Sequence, residues 1–314
     1  MVKVTVAGGS NGLGRVIVRA IAATGKHEVS VLSRQHKETD SIPVLVADYS
    51  SPESIADVLR SNGTEVVIST IGILFEDTHQ AQMNLIEGAE KSGTVKRFAP
   101  SDGYPCQVPG LEGYKGNTYK IEAVKKLRST SMESTRFIIG FLMDYYGAPA
   151  ELPPVLPLAV VLDMENNKAA LPGTGDDKVT LTHSETIGKF VAASLNLKEW
   201  PEKSWIIGDT LTWREALGLV ESARKIKFDV HFDSIDGLKE SKITELPGNV
   251  SKYGLVGKPF IDGMMSLWSL GFAWGWYDLT SYKKSEKTLN EVFPELETLT
   301  FKSFISRCFE EEVK

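Results

Sequence analysis

Hydrophobic and polar positions alternate from the first residues. Val2, Val4 and Val6 bracket Lys3 and Thr5, the period-two pattern of a β-strand. The run breaks at Gly8-Gly9-Ser10-Asn11-Gly12, and beyond it Leu13, Val16, Ile17, Ala20 and Ile21 recur at helical spacing. The same alternation predicts further strands over residues 27–34, 42–47, 65–70, 95–99 and 135–139. Helices are predicted from residue 50, over 78–92 and over 118–128. Ser50-Ser51-Pro52-Glu53 carries capping hydroxyls, an early proline and a first-turn carboxylate, which marks a helix start. Strands and helices therefore alternate over residues 1–145, the pattern of an α/β fold with a doubly wound, Rossmann-type parallel sheet. Right-handed crossovers bring the strand C-termini to one edge. Residues 8–14, Arg34, Asp48, Thr70, Ser101 and Phe141 are expected there, where such sheets bind ligands.

The second half changes character. Four prolines interrupt residues 144–157. Short strands are predicted at 160–162, 179–181, 204–208 and 228–232, and helices at 184–197, 212–225 and 298–311. Thr212-Trp213-Arg214-Glu215 has the form of a capping box. Residues 260–282 are crowded with Met264, Met265, Trp268, Phe272, Trp274, Trp276, Tyr277 and Tyr282. The expected organisation is a dinucleotide-binding domain over 1–145 and a smaller, mixed α/β substrate-binding region over 146–314, packed against it.

Composition narrows the function classes. The chain has 314 residues, 42% hydrophobic and 24% charged, which suits an ordinary globular protein. A net charge of −6 argues against nucleic acid or an anionic membrane as partner. Two cysteines, Cys106 and Cys308, make no disulfide framework, and the five histidines show no metal-ligand spacing, so no metal is expected. No apolar run is long enough to span a bilayer, and the first residues already read as a strand. A cytoplasmic protein is expected.

Strand, glycine turn and helix are together the context of a dinucleotide fingerprint. Gly8 permits a tight turn, Gly12 a close approach of backbone to pyrophosphate, and Gly14 close packing of helix on strand. Ser10, Asn11 and Leu13 complete the phosphate loop. The exposed N–H groups and positive helix end attract phosphate. The second strand then ends in Ser33-Arg34, with Lys37 beyond, where an NAD site would usually carry Asp or Glu. A guanidinium there suits a 2′-phosphate, so the expected cofactor is NADP(H). A solvated basic loop would look the same.

In order and spacing the chain resembles the NmrA-like and isoflavone-reductase-like group of atypical short-chain dehydrogenases/reductases, in a fungal style. The residues carrying the resemblance are Val6 to Gly14, Ser33-Arg34, Ser69-Thr70-Ile71-Gly72, Lys96 to Ser101, Lys120, Ile139 to Met143 and Leu171 to Gly188. Two features depart from the pattern. Asn11 and Gly12 stand where the family usually has a glycine at position 11. Gly116, four residues before Lys120, occupies the place of the tyrosine that many short-chain reductases use as proton donor. The resemblance implies Lys120 as the group that bonds the nicotinamide ribose, polarises a carbonyl or imine and relays a proton. Asp102, ending the fifth strand, is a second catalytic candidate that could contact the nicotinamide or the substrate, although a helix or turn cap would look the same. The resemblance also implies that Asp48 and Tyr49 contact the adenine, that Thr70, Ile71 and Gly72 pass the adenosine ribose, and that Ser101 and Phe141 lie near the nicotinamide. Tyr104, Met143, Tyr146, Trp268 and Phe272 are the candidate lining of a bulky apolar substrate pocket, although such aromatic residues equally suit a core. The function implied is an NADPH-dependent reduction of C=O, C=C or C=N in an aromatic or polycyclic secondary metabolite, with cyclisation of the product as a variant. The alternative is an NADP(H)-sensing regulator without turnover, and only that reading requires a protein partner.

Overall fold

Strand β1 (Lys3–Ala7) runs through the middle of a six-stranded parallel sheet in the computed structural model, which describes residues 1–36, 41–103, 115–147, 157–283 and 286–309. Beside it lie β2 (Glu28–Ser33) and then β3 (Val44–Val46). On the other side follow β4 (Val66–Ser69), β5 (Arg97–Ala99) and β6 (Glu133–Ser134). The spatial order is β3-β2-β1-β4-β5-β6, with every neighbouring pair parallel. That is the order of a doubly wound dinucleotide fold, whose winding reverses between β1 and β4. Val4, Val6, Ala7, Val31, Leu32 and Val67 have no solvent exposure, as expected of strands covered on both faces. Thr5 is the polar exception within β1. Its buried hydroxyl lies 3.0 Å from Ser30 Oγ and 2.7 Å from Thr64 Oγ1, so the buried oxygen is satisfied.

The helices begin where local chemistry places them. Helix α1 (Gly12–Ala23) buries Ile17, Val18 and Ile21. Helix α2 (Pro52–Asn62) starts on Ser51, whose hydroxyl accepts the Ser54 N–H at 3.2 Å, and stops at Gly63 with φ of 69°. Helix α3 (Glu76–Ser92) packs on α2, and α4 (Lys115–Arg128) follows β5. A shared core joins Leu32, Tyr49, Ile55, Leu59, Leu85, Ile86, Phe98 and Leu127.

The sixth predicted strand, residues 135–139, does not join the main sheet. Residues 133–134 form β6, whereas β7 (Arg136–Ile138) leaves the main sheet and pairs in parallel with Lys203–Trp205. Thr135 is the pivot, with its hydroxyl 2.8 Å from Ser204 Oγ. The chain also divides differently from the contiguous halves expected at residue 145. One unit comprises Met1–Ile138, Ser184–Ile206 and Lys287–Leu296, and the other Ile139–His183, Ile207–Glu286 and Glu297–Lys314. Helix α5 (Ser184–Ser194) thus belongs with the parallel sheet, where Gly188 faces Ala20 of α1.

The second unit holds two small sheets. Lys168–Pro172 pairs with Asp229–Asp233 in parallel and with Leu162–Asp163 in antiparallel sense. Lys178–Thr182 pairs with Asp209–Thr212 and Phe141–Leu142. The capping box opens the helix Trp213–Arg224, with Thr212 Oγ1 accepting the Glu215 N–H at 3.1 Å. The aromatic-rich segment becomes the helix Lys258–Ala273. Among the described residues no helix is long and apolar enough to cross a membrane.

The contact of α2 with α3 offers a test in which two effects oppose each other. An added methyl at Gly88 would meet Ile55 Cγ2 at 2.6 Å and the Pro52 carbonyl oxygen at 2.8 Å, and the latter is backbone. Alanine gains about 1 kcal/mol of helix propensity over glycine, but overpacking costs about 1–3 kcal/mol. Gly88→Ala is expected to lower stability in urea denaturation. A stabilised variant would show that the helices separate at no cost.

Candidate active site

At the C-terminal edge of β1 the chain turns through Gly8, whose φ is 83°. A Cβ on Gly8 would lie 2.9 Å from Thr70 Oγ1. A Cβ on Gly14 would lie 2.6 Å from the Gly8 carbonyl oxygen and would also strike the Thr70 hydroxyl. Both positions therefore exclude any side chain. Gly12 adds a φ of 54° at the helix entry. Thr70, just beyond β4, ties the two central strands together, its N–H and Oγ1 both reaching the Ala7 carbonyl at 2.9 Å. The crevice is thus framed by Gly8, Gly14 and Thr70, where the winding of the sheet reverses.

Asn11 stands at the N-cap of α1 but makes no capping bond with its side chain, and the first turn carries no acidic residue. The leading N–H groups of α1 are those of Asn11, Gly12, Leu13 and Gly14, and only Gly14 is fully buried. A glycine cradle with an uncapped, uncompensated helix start fits a pyrophosphate. Arg34, at the end of β2, is exposed, and its guanidinium forms no ion pair or hydrogen bond among the described residues. Ser33 beside it is partly buried and accepts the Gln35 N–H at 3.5 Å. Lys37 lies outside the described residues.

Asp48 is exposed and accepts the Ser50 N–H at 2.8 Å and the Ser50 hydroxyl at 2.7 Å. These bonds hold its carboxyl below the usual carboxylate range. Tyr49 corrects an expectation. Its ring belongs to the core, and its hydroxyl donates to the Leu32 carbonyl at 3.1 Å, so the side chain is not turned toward a nucleotide. Burial raises its phenol pKa against the opposing pull of Arg34. Ile71 packs partly on the same core, and Gly72 is exposed with open space around it.

Beyond β5 lies a buried charged cluster. The Asp102 side chain is 2% exposed, and its Oδ1 stands 3.3 Å from Nζ of Lys120. Its Oδ2 accepts from Nε of Arg136, on β7. Oδ1 also accepts the Gly103 N–H at 2.9 Å. Ser101 N–H donates to Gln82 Oε1 at 3.4 Å, and the Ser69 hydroxyl donates to the same oxygen at 2.5 Å. Gln82, fully buried on α3, thereby fixes the ends of β4 and β5 relative to each other. Lys120 and Asp102, each a separate catalytic candidate in the sequence, thus form an ion pair.

Tyr119 does not replace the missing tyrosine. Its hydroxyl donates to Glu76 at 2.6 Å, which raises its pKa. Its ring stacks on His79 at 4.1 Å, and His79 Nε2 lies 2.8 Å from Glu122. Sequence reading missed Gln82 and Arg136. The available signal for Arg136 was a charge inside the apolar run Thr135-Arg136-Phe137-Ile138-Ile139.

In the second unit Phe141 is buried among Tyr145, Trp268, Phe272 and Tyr277, with ring centroids 5.1–5.6 Å away. Met143, Tyr146 and Phe272 have no exposure. Tyr146 donates to the Val160 carbonyl at 3.2 Å and packs edge-on against Trp213 and Phe301. These three are core residues rather than an open pocket lining, because their large rings and thioether fill the space between the small sheets and their helices. Trp268 is partly exposed, and Tyr104 lies outside the described residues.

The arrangement has known counterparts. Residues 2–241 match the model of the NmrA-like family. Over 97% of this chain and 96% of the relative, the sequence is 30% identical to the oxidoreductase swnN of Metarhizium robertsii. The complex of leucoanthocyanidin reductase from Vitis vinifera with NADPH superposes with a TM-score of 0.75 at 17% identity, over 99% of this chain and 100% of that one. AtPrR2 with NADP+ and (+)pinoresinol gives 0.70 at 19% identity, over 98% of each chain. By family model and by a whole-length relative, the chain belongs to the NmrA-like family.

Proposed function

We propose that this chain is an NADPH-dependent reductase of a bulky aromatic or polycyclic small molecule, acting on C=O, C=C or C=N. The observation that carries the reading is the buried Lys120–Asp102 pair at 3.3 Å, in the same unit as a glycine turn that admits no side chain. The oxidoreductase swnN, related over the whole chain, and the NADPH-bound and pinoresinol-bound reductases of like fold support it.

Residues 8–14 with the first turn of α1 would hold the pyrophosphate, Arg34 and Ser33 the 2′-phosphate, and Asp48, Ile71 and Gly72 the adenosine. When bound, the cofactor supplies hydride. The protein's own part is electrostatic and geometric. Lys120 donates a hydrogen bond toward the oxygen or nitrogen on which charge develops and passes a proton to it. Asp102 keeps the lysine head in place, and Ser101 stands next to it on the same loop. A ring closure following reduction would use the same positioning of reacting atoms.

Two measurements test this. A bidentate charge-assisted contact to a 2′-phosphate is worth about 1.5–3 kcal/mol, or roughly 10–100-fold in affinity. Arg34→Ala is expected to weaken NADPH binding by that factor and leave NADH binding unchanged, as read by nucleotide fluorescence titration. Equal losses for both nucleotides would remove Arg34 from 2′-phosphate recognition. Lys120→Met is expected to abolish NADPH oxidation against a panel of aromatic ketones, enones and imines while keeping NADPH affinity within a few-fold. Full turnover in Lys120→Met would exclude the lysine. NADPH binding by the unaltered protein with no turnover of any panel member, together with a captured protein partner, would favour the regulatory alternative.

A further inference from the structure

Arg136 interrupts a buried strand. Thr135, Phe137 and Ile138 around it are at most 9% exposed, and packing alone gives no reason for a guanidinium there. Its side chain is 7% exposed and its Nε donates to Oδ2 of Asp102, whose other oxygen faces Lys120 Nζ at 3.3 Å. The backbone holds it firmly, since β7 pairs with Lys203–Trp205 and the Arg136 N–H donates to the Glu202 carbonyl at 3.0 Å.

We propose that Arg136 is the positioning residue that lets Lys120 exchange its proton, by neutralising Asp102 permanently. A private lysine–carboxylate pair in a dry interior would lock the lysine in its charged form, because losing the proton would leave a bare buried carboxylate. Arginine does not lose its proton at any physiological pH. With Arg136 on one oxygen of Asp102, the carboxylate stays balanced whether Lys120 is charged or neutral. Among the described residues, titratable groups on adjoining turns of α3 and α4 form two pairs: Tyr119 with Glu76 at 2.6 Å, and His79 with Glu122 at 2.8 Å. The inference rests on Lys120 being the proton-relaying group.

The test needs no substrate. Protein labelled with 13C at lysine Cε is titrated by NMR, and the Lys120 signal is the one lost in Lys120→Met. Arg136→Met is expected to move the Lys120 midpoint upward by about one pH unit or more. Arg136→Lys keeps the charge and is expected to stay near the unaltered protein. Arg136→Gln keeps a donor without the charge and is expected to follow Arg136→Met, which also covers the case in which the methionine variant does not fold. An unchanged or lowered Lys120 midpoint in Arg136→Gln, or an Arg136→Lys midpoint that rises as far as that of Arg136→Gln, would overturn the proposal. Loss of turnover in Lys120→Met bears on the catalytic reading separately, so the two failures are distinguishable.

Discussion

Everything at the candidate site depends on how closely two backbone segments approach each other. Thr70 at the end of β4 grips the Ala7 carbonyl at the end of β1 through both its N–H and its hydroxyl. That grip leaves no volume for a Cβ at Gly8 or Gly14. The glycines are therefore required by the same contact that forms the crevice. The uncapped start of α1 faces it with N–H groups that no side chain of α1 compensates. The sheet's strand order places this crevice where its winding reverses, so topology, backbone geometry and electrostatics agree on one location.

Further along the same edge the constraint is electrostatic. Burying Asp102 removes its hydration, and two cations stand in for water. The loop after β5, helix α4 and strand β7 each contribute one member of this cluster, so the local path of the chain is tied to a charge balance. The departure of β7 from the main sheet is what carries Arg136 into that position.

Much of this was legible in the sequence, and the rest was not for identifiable reasons. Signals confined to a few neighbouring residues survived intact: the glycine turn, the Ser51-Pro52 helix start and the Thr212–Glu215 box. Lys120 and Asp102 each stood out as candidates near the strand C-termini, but the ion pair between them joins a loop to a helix and was not legible. Tertiary pairing did not show. Nothing local in residues 133–138 says that the strand changes partner at Thr135, because the partner Lys203–Trp205 is distant in the chain. Tyr49, Met143, Tyr146 and Phe272 illustrate a second limit. A large apolar side chain has the same pattern whether it lines a pocket or fills a core, and here all four are packed inside.

The most direct measurement is a crystal structure with NADPH bound. The account predicts diphosphate oxygens within hydrogen-bond reach of the backbone N–H groups at residues 10–14, the 2′-phosphate on Arg34, and Lys120 Nζ bonded to the nicotinamide ribose with Asp102 still behind it. A nucleotide seated away from the glycine turn, or a nicotinamide ribose out of reach of Lys120, would contradict it.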